Sequence, residues 1–290
     1  MILIPQRLFS DARVKVILRD GNNCILTKEL QEPLLKRQGY ISNHVISVLL
    51  AGEQHIETYE GRQLVVKPNE IIFIPRGLYY ISDLIPSGGH FKSVLFYFDD
   101  RTIHEFLSTS KVTAFSKEAA PDHLHLGAIA VVRQFVESLL HIYAHNQISS
   151  KSILQLKTLE LLHLLNGLVS AQKLADFLFR LTLPKKRSIK SFMENNYDKP
   201  LKVEDYAYLT GRSLSSFRRD FKTFYGSTPQ KWLKDRRLDK AVDLFQQRER
   251  SVGDVAYEVG YENTSYFIRE FKKRVGQSPK QYLLKLHRKQ

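Results

Sequence analysis

The chain has 290 residues, 43% of them hydrophobic, and a formal charge of +14 from 44 Lys+Arg against 30 Asp+Glu. That length accommodates two domains with cores of their own. A single cysteine, Cys24, excludes an internal disulfide and points to a reducing compartment. No apolar run reaches the length of a membrane span, and Met1 to Arg7 is too short and wrongly ordered for a secretory signal, so a soluble, cytoplasmic protein is expected. The charge is unevenly placed: residues 1–180 hold 19 Lys+Arg against 17 Asp+Glu, whereas residues 181–290 hold 25 against 13. A basic C-terminal third beside a near-neutral remainder suggests a polyanion-binding module, although charge alone fits a solvated basic surface equally well.

From about Arg13 to Asp100, short apolar runs alternate with turn residues. Val45 to Leu50 stops at Ala51-Gly52-Glu53, Leu64 to Val66 at Lys67-Pro68-Asn69-Glu70, Ile71 to Ile74 at Pro75-Arg76-Gly77, and Ser93 to Phe98 at Asp99-Asp100. Short β-branched and aromatic runs with regular turns predict the strands of an all-β sandwich or barrel. Pro68 to Gly77 looks like the second conserved motif of cupin barrels, but Tyr80 stands where metal-binding cupins place a histidine. The first motif's histidine pair is reduced to His44, with His55 beyond the Gly52 turn. A metal site needs three or four convergent ligands, so neither metal nor cofactor is expected. A metal-dependent cupin enzyme with a DNA-binding tail is kept as the weaker alternative. The barrel interior either holds a small ligand or is filled with side chains.

After Pro121 the period changes. Leu124, Ile129, Val132, Phe135, Val136, Leu139, Leu140 and Tyr143 predict an amphipathic helix, broken at 146–150. A second helix, from Ile153 through Leu156, Leu159, Leu161, Leu162, Leu164 and Leu165 to Val169, is apolar on more than one side. Such a hairpin can lay one side on the barrel and the other on a second protomer, predicting a homodimer. His141 and His145 are four apart but lack an acidic residue between them or a third ligand, and are read as solvent-facing. No Ser/His/Asp grouping, Gly-rich phosphate loop or Cys-x-x-Cys pair is present.

Pro184-Lys185-Lys186-Arg187 reads as a linker. Beyond it are predicted a helix from Ile189 to about Tyr197, a short one from Val203 to Leu209, and a third capped by Ser213 with Phe217, Phe221 and Phe224 on its buried face. Lys202, lacking a capping side chain, predicts a frayed start to the short helix. Ser215 to Leu233 recurs as Ser265 to Leu283, with identity at eight of nineteen positions: Ser215, Phe217, Arg219, Phe221, Lys222, Gly226, Pro229 and Leu233. One supersecondary unit is used twice. Each copy is a short helix with a small inward residue (Ala207, Ala256), a glycine turn (Gly211, Gly260) and a basic helix capped by Ser213 or Asn263, the pattern of a helix-turn-helix. In the second copy Ser251 caps the short helix, with Asp254 placed to reach back. Between the copies, Pro229 to about Gln246 predicts one helix about 27 Å long, a span suited to two successive major grooves about 34 Å apart.

The block from Ile189 to Tyr282 resembles the DNA-binding domain of the AraC/XylS family of bacterial transcription regulators. Gly260 to Lys273 and Gly276 to Pro279, with Arg237, Leu238 and Ala241, carry the resemblance. It implies that Ser215, Arg218 and Arg219 of the first copy, and Thr264, Ser265, Tyr266 and Arg269 of the second, read base edges. Their position early in each helix, opposite the buried phenylalanines, agrees with this. Ser213, Lys222, Asn263, Lys272 and Lys273 are expected at phosphates. A structural ion pair with Asp220, Glu258 or Glu270 is the alternative for Arg219 and Arg269.

The expected fold is multidomain: a cupin-like β-barrel over residues 1–120, an α-helical hairpin over 121–183, and an all-α double helix-turn-helix over 184–290. The expected function is that of a transcription regulator, an activator by resemblance, with duplex DNA and RNA polymerase as partners. A small molecule, or alternatively a protein partner, would act on its N-terminal part.

Overall fold

The computed structural model describes residues 2–59, 61–110, 112, 115, 123–143, 150–183, 186–247 and 250–287. The chain divides into two compact units, Met1–Leu183 and Pro184–Gln290.

The first unit begins with ten strands: β1 (Ile2–Ile4), β2 (Val14–Asp20), β3 (Asn23–Leu30), β4 (Leu34–Ile41), β5 (His44–Ala51), β6 (Glu53–Thr58), β7 (Gln63–Val66), β8 (Ile71–Ile74), β9 (Gly77–Leu84) and β10 (Phe91–Phe98). Helix α1 (Asp100–Thr109), strand β11 (Leu124–Leu126) and helices α2 (Ala130–Tyr143), α3 (Lys151–Leu168) and α4 (Ala171–Leu181) follow. The strands form two sheets, ordered β1-β4-β9-β6-β7 and β11-β8-β5-β10-β3-β2.

The alternation along β5 explains the layering. Val45 and Leu49 pack with Ile72, Ile74 and Leu95 in the core shared with residues of the first sheet, such as Ile41 and Ile56. Ile46 and Val48 point the other way, into a core with Phe73, Phe96, Val136, Leu161 and Phe177 that the helices complete. A strand covered on both faces needs a continuous apolar run, and His44 to Leu49 is buried throughout.

Three expectations change in this unit. The segment taken as barrel to residue 120 contains α1, whose N-terminus is capped by Asp99 accepting from Arg101 N–H at 3.1 Å. Leu124, expected in a helix, lies in β11, paired with Phe73 of β8. The second hairpin helix ends where expected, α3 stopping at Leu168, but an unexpected helix follows it: α4, capped by Ser170 accepting from Lys173 N–H at 3.4 Å. The hairpin is therefore a three-helix layer. His145 and the predicted break at 146–149 lie outside the described residues, as do 184 and 185 of the predicted linker.

The second unit is helical: α5 (Ile189–Asn196), α6 (Val203–Leu209), α7 (Leu214–Tyr225), α8 (Pro229–Gln247), α9 (Val252–Glu258), α10 (Thr264–Val275) and α11 (Pro279–His287). In each copy two phenylalanines fill the core at helical spacing. The Phe217 and Phe221 rings lie 5.6 Å apart, as do those of Phe267 and Phe271, and all four are fully buried. Phe224 is the exception to the expected buried face, 64% exposed. At that end of α7 the packing comes from the Tyr225 side, where its ring stacks on Phe221 at 4.5 Å and meets Trp232 of α8 at 4.8 Å. The start of α6 is also held rather than frayed. The Asp205 carboxylate accepts from Lys202 N–H at 2.9 Å, and Asp205 N–H donates to the Lys202 carbonyl. This is the acidic half of a capping box, which needs no hydroxyl at residue 202.

Candidate nucleic-acid interface

Each helix-turn-helix turns through the same hydrogen bonds. Gly211 N–H donates to Tyr208 O and Arg212 N–H to Ala207 O, at 2.8 and 2.9 Å. In the second copy Gly260 N–H donates to Tyr257 O and Tyr261 N–H to Ala256 O, at 3.1 and 2.9 Å. Gly211 and Gly260 adopt φ of 68° and 85°, left-handed values that favour glycine. Ala207 and Ala256, both buried, let the following helix approach closely. Ser213 Oγ accepts from Ser216 N–H at 3.2 Å and Asn263 Oδ1 from Tyr266 N–H at 2.8 Å, so both residues cap the helices they precede.

These turns bring the sequence-predicted residues onto exposed surface. On α7, Ser215, Arg218, Arg219 and Lys222 are all exposed and fall at steps of three and four, one stripe opposite Phe217 and Phe221. On α10, Ser265, Tyr266, Arg269, Lys272 and Lys273 are exposed on the side away from Phe267 and Phe271, and Thr264 is exposed as the helix's first residue. The Arg269 guanidinium lies 5.1 Å above the Tyr266 ring, a contact that steadies both side chains.

The carboxylates on these helices are engaged elsewhere. Asp220 receives Arg212 Nε at 3.1 Å, and Arg212 also donates to the Arg187 and Thr210 carbonyls at 2.9 and 2.7 Å. Glu270 meets Lys234 of α8 at 3.4 Å, and Glu258 is held by Arg250. Arg269 thus makes no ion pair among the described residues, so the expected alternative role for it is not what is found. Arg219 lies 3.6 Å from Asp220 with its side chain 76% exposed, a loose contact to a carboxylate already paired. Arg218, Lys222, Lys272 and Lys273 have no carboxylate partner among the described residues. The result is two stripes of positive charge, each with fork-shaped guanidinium groups that match two acceptors at once.

Behind the stripes the domain is knit by groups the sequence reading passed over. Arg212 could have been noticed as a basic residue inside a turn, but beyond the nearby Thr210 carbonyl its partners come from distant backbone, at Arg187, and from the next helix, at Asp220. Burial pushes Tyr261 up to about 12. Burial, followed by the Glu194 carboxylate, does the same for Tyr225, so both phenols stay protonated and neutral.

In the first unit the histidines do not converge. His44 is buried with Nε2 2.9 Å from Asp100 Oδ1, and its Nδ1 accepts from Arg76 N–H at 3.2 Å. His55 pairs separately with Glu53. Tyr80 is 40% exposed. His141 lies on α2. Among the described residues no three His, Cys, Asp or Glu side chains gather as a metal site, and no helix is long and apolar enough to cross a membrane.

Residues 44–177 match the family model described as the ExsA N-terminal regulatory domain, and residues 206–285 match a helix-turn-helix domain model. The HTH-type transcriptional regulator ExsA of Pseudomonas aeruginosa is 25% identical over 239 residues, 81% of this chain and 84% of that protein. The thermoregulatory protein LcrF of Yersinia pestis is 26% identical over 243 residues, 81% of this chain and 86% of that one. The virulence regulon transcriptional activator VirF of Yersinia enterocolitica is 34% identical over 93 residues, 32% of this chain and 34% of its own. Matches to an ExsA N-terminal regulatory domain and then, further along the chain, to a helix-turn-helix domain that presents two exposed basic helices place the chain in the AraC/XylS family of DNA-binding transcription regulators.

Proposed function

We propose that the protein is a bacterial, cytoplasmic transcription activator that acts by binding rather than by catalysis. It would read two adjacent major-groove segments and bring RNA polymerase to the promoter. The observation that carries this is the pair of exposed stripes whose neighbouring carboxylates are neutralised from behind. Ser215, Arg218 and Arg219, with Thr264, Ser265, Tyr266 and Arg269, would meet base edges. Lys222, Lys272 and Lys273 would meet phosphates, joined by Ser213 and Asn263 at the helix starts. The name of VirF, a transcriptional activator, supports the sign of regulation.

For the N-terminal unit we favour control by a protein partner. The cavity between its sheets measures about 60 Å³, room for a few waters, whereas ligand sites usually offer about 300–1,000 Å³. The helical layer offers a surface instead. Val131, Phe135, Ile142 and Leu164, interspersed with Gln134, Ser138, Lys157 and Glu160, line a groove of about 350 Å³ on α2 and α3, and this mixed face suits a second protomer or a partner protein. A small polar effector is favoured by one detail: Ser47 lines the cavity, and its buried hydroxyl has no partner among the described residues.

Selection of binding sites from random duplexes at two salt concentrations tests the DNA reading. The expected motif has two blocks about one helical turn apart; no enriched motif, with binding that vanishes as salt rises, would reduce the second unit to a basic domain. In the same assay Lys272→Ala with Lys273→Ala should flatten the dependence of log affinity on log salt by about 2, because each phosphate contact contributes about 0.9. The sequence preference should not change. An unchanged slope would remove both lysines from the phosphate contacts.

A further inference from the structure

The backbone loop between α5 and α6, Tyr197 to Leu201, is gripped from several sides. Arg237 of α8 donates from Nε to the Tyr197 carbonyl at 2.7 Å, and from Nη2 to the carbonyls of Lys199 and, at 3.3 Å, Leu201. Lys240, three residues along the same helix, reaches the Asp198 carboxylate at 2.6 Å. From α6, the Tyr206 hydroxyl donates to the Asn196 carbonyl at 2.7 Å. The turn of the second helix-turn-helix presses on the same loop: a Cβ added to Gly260 would stand 2.7 Å from the Asp198 carbonyl oxygen and 2.9 Å from that of Lys199. The first motif, the linking helix and the second motif therefore converge on five residues of backbone. Beside the loop, an open groove of about 640 Å³ is lined by Lys202 and Glu204 on one side and Asn263 and Tyr266 on the other, so the two motifs leave the space between those residues unfilled.

We propose that this loop, clamped by Arg237 and seated against Gly260, is the gauge that fixes the separation of the two recognition helices. Arg237 thereby determines which base-pair spacing between the two DNA blocks is accepted. The proposal rests on the two-motif reading of DNA given above. Arg237 is a positioning residue: its Nε and Nη2 donors are spent on carbonyls, and it acts through the loop. One inserted base pair displaces the second block by about 3.4 Å and turns it by about 35°. A rigid pair of helices cannot follow that movement, whereas a loosened pair can.

The test uses the full-length protein on duplexes carrying both selected blocks, with one or two base pairs added or removed between them. Footprinting reports which blocks are covered. The wild type should lose roughly tenfold or more in affinity for each base pair of change. Arg237→Ala should bind the native spacing more weakly, yet protect both blocks with a spacing penalty cut to about threefold or less. Lys240→Met removes only the tie to Asp198 and should move in the same direction by less. It decides the matter if circular dichroism shows Arg237→Ala unfolded. A variant weakened by one common factor at every spacing overturns the gauge, since that is what lost stability alone would produce. So does a wild type that protects both blocks equally at all spacings, an outcome that leaves the two-motif reading standing. Protection of one block only overturns both.

Discussion

Replacing Arg218 and Arg219 together by alanine should weaken binding to the selected site by about 2–6 kcal/mol, if each guanidinium makes one bidentate contact worth about 1–3 kcal/mol. Binding to unrelated duplex should fall far less, because that affinity rests on phosphate neutralisation. The fold should be unaffected. Both side chains are exposed, and exposed substitutions of this kind usually change stability by no more than about 0.5 kcal/mol. Losing Arg219 still leaves Asp220 paired with Arg212 at 3.1 Å. The lysine versions separate charge from geometry: R218K with R219K keeps two cations but loses the planar fork. It should retain non-specific affinity and still lose discrimination. The measurement is a titration of matched and scrambled duplexes at fixed salt. A double alanine variant with the wild-type ratio of specific to non-specific binding would take both arginines off the base edges.

How far the sequence led depends on the range over which its signals act. In the second unit the cues are local. A cap at Ser213 or Asn263, an inward Ala207 or Ala256, a turn at Gly211 or Gly260 and phenylalanines four apart lie within one motif, and they recur 49 or 50 residues on. Phe224 went wrong because a helical wheel knows the face but not where the neighbouring helix ends. In the first unit, α1 is short and is capped by Asp99 directly after a strand, so the strand texture before it hid the change of period. Helix α4 was missed because apolar residues run on from α3 into it, Leu168 and Val169 before Ser170 and Ala171 after it, with no proline between. Leu124 fits a helical period equally well, and only pairing with Phe73 of β8, 51 residues earlier, makes it a strand.

What no local pattern could reveal is chemistry assembled by sheet register. Lys28, Gln54 and Asp83 come from three strands. The pairing of Gln54 with Asp83 and of Lys28 with Ser93 sets all three in the sheet pair's interior, where Ser47 also lies. The same holds for Arg237 and Gly260. Their partners are backbone carbonyls, which no side-chain motif advertises.

The largest stability effect is expected at that interior trio. Asp83 is 2% exposed, pairs with the Lys28 ammonium, and accepts from Gln54 Nε2 at 2.7 Å. Asp83→Ala leaves a lysine with a side chain only 12% exposed, and a buried amide, without their acceptor. Stranding one member of a buried pair costs about 3–5 kcal/mol. In a unit of this size that lowers the melting temperature of its transition by roughly 6–20 °C. K28M with D83N should recover most of the loss. No charge is then stranded, the asparagine carbonyl still accepts from Gln54, and its amide faces a cavity with room for water. A double variant less stable than D83A alone would show that the pair is not the source of the effect. The restored variant also separates the two modes of control. It folds like the wild type but presents a different cavity chemistry. Under partner control a reporter driven from a selected promoter should respond to inducing conditions as it does with the wild type. A small polar effector seated beside Ser47 would instead lose its charged neighbours, and the response would fall with them.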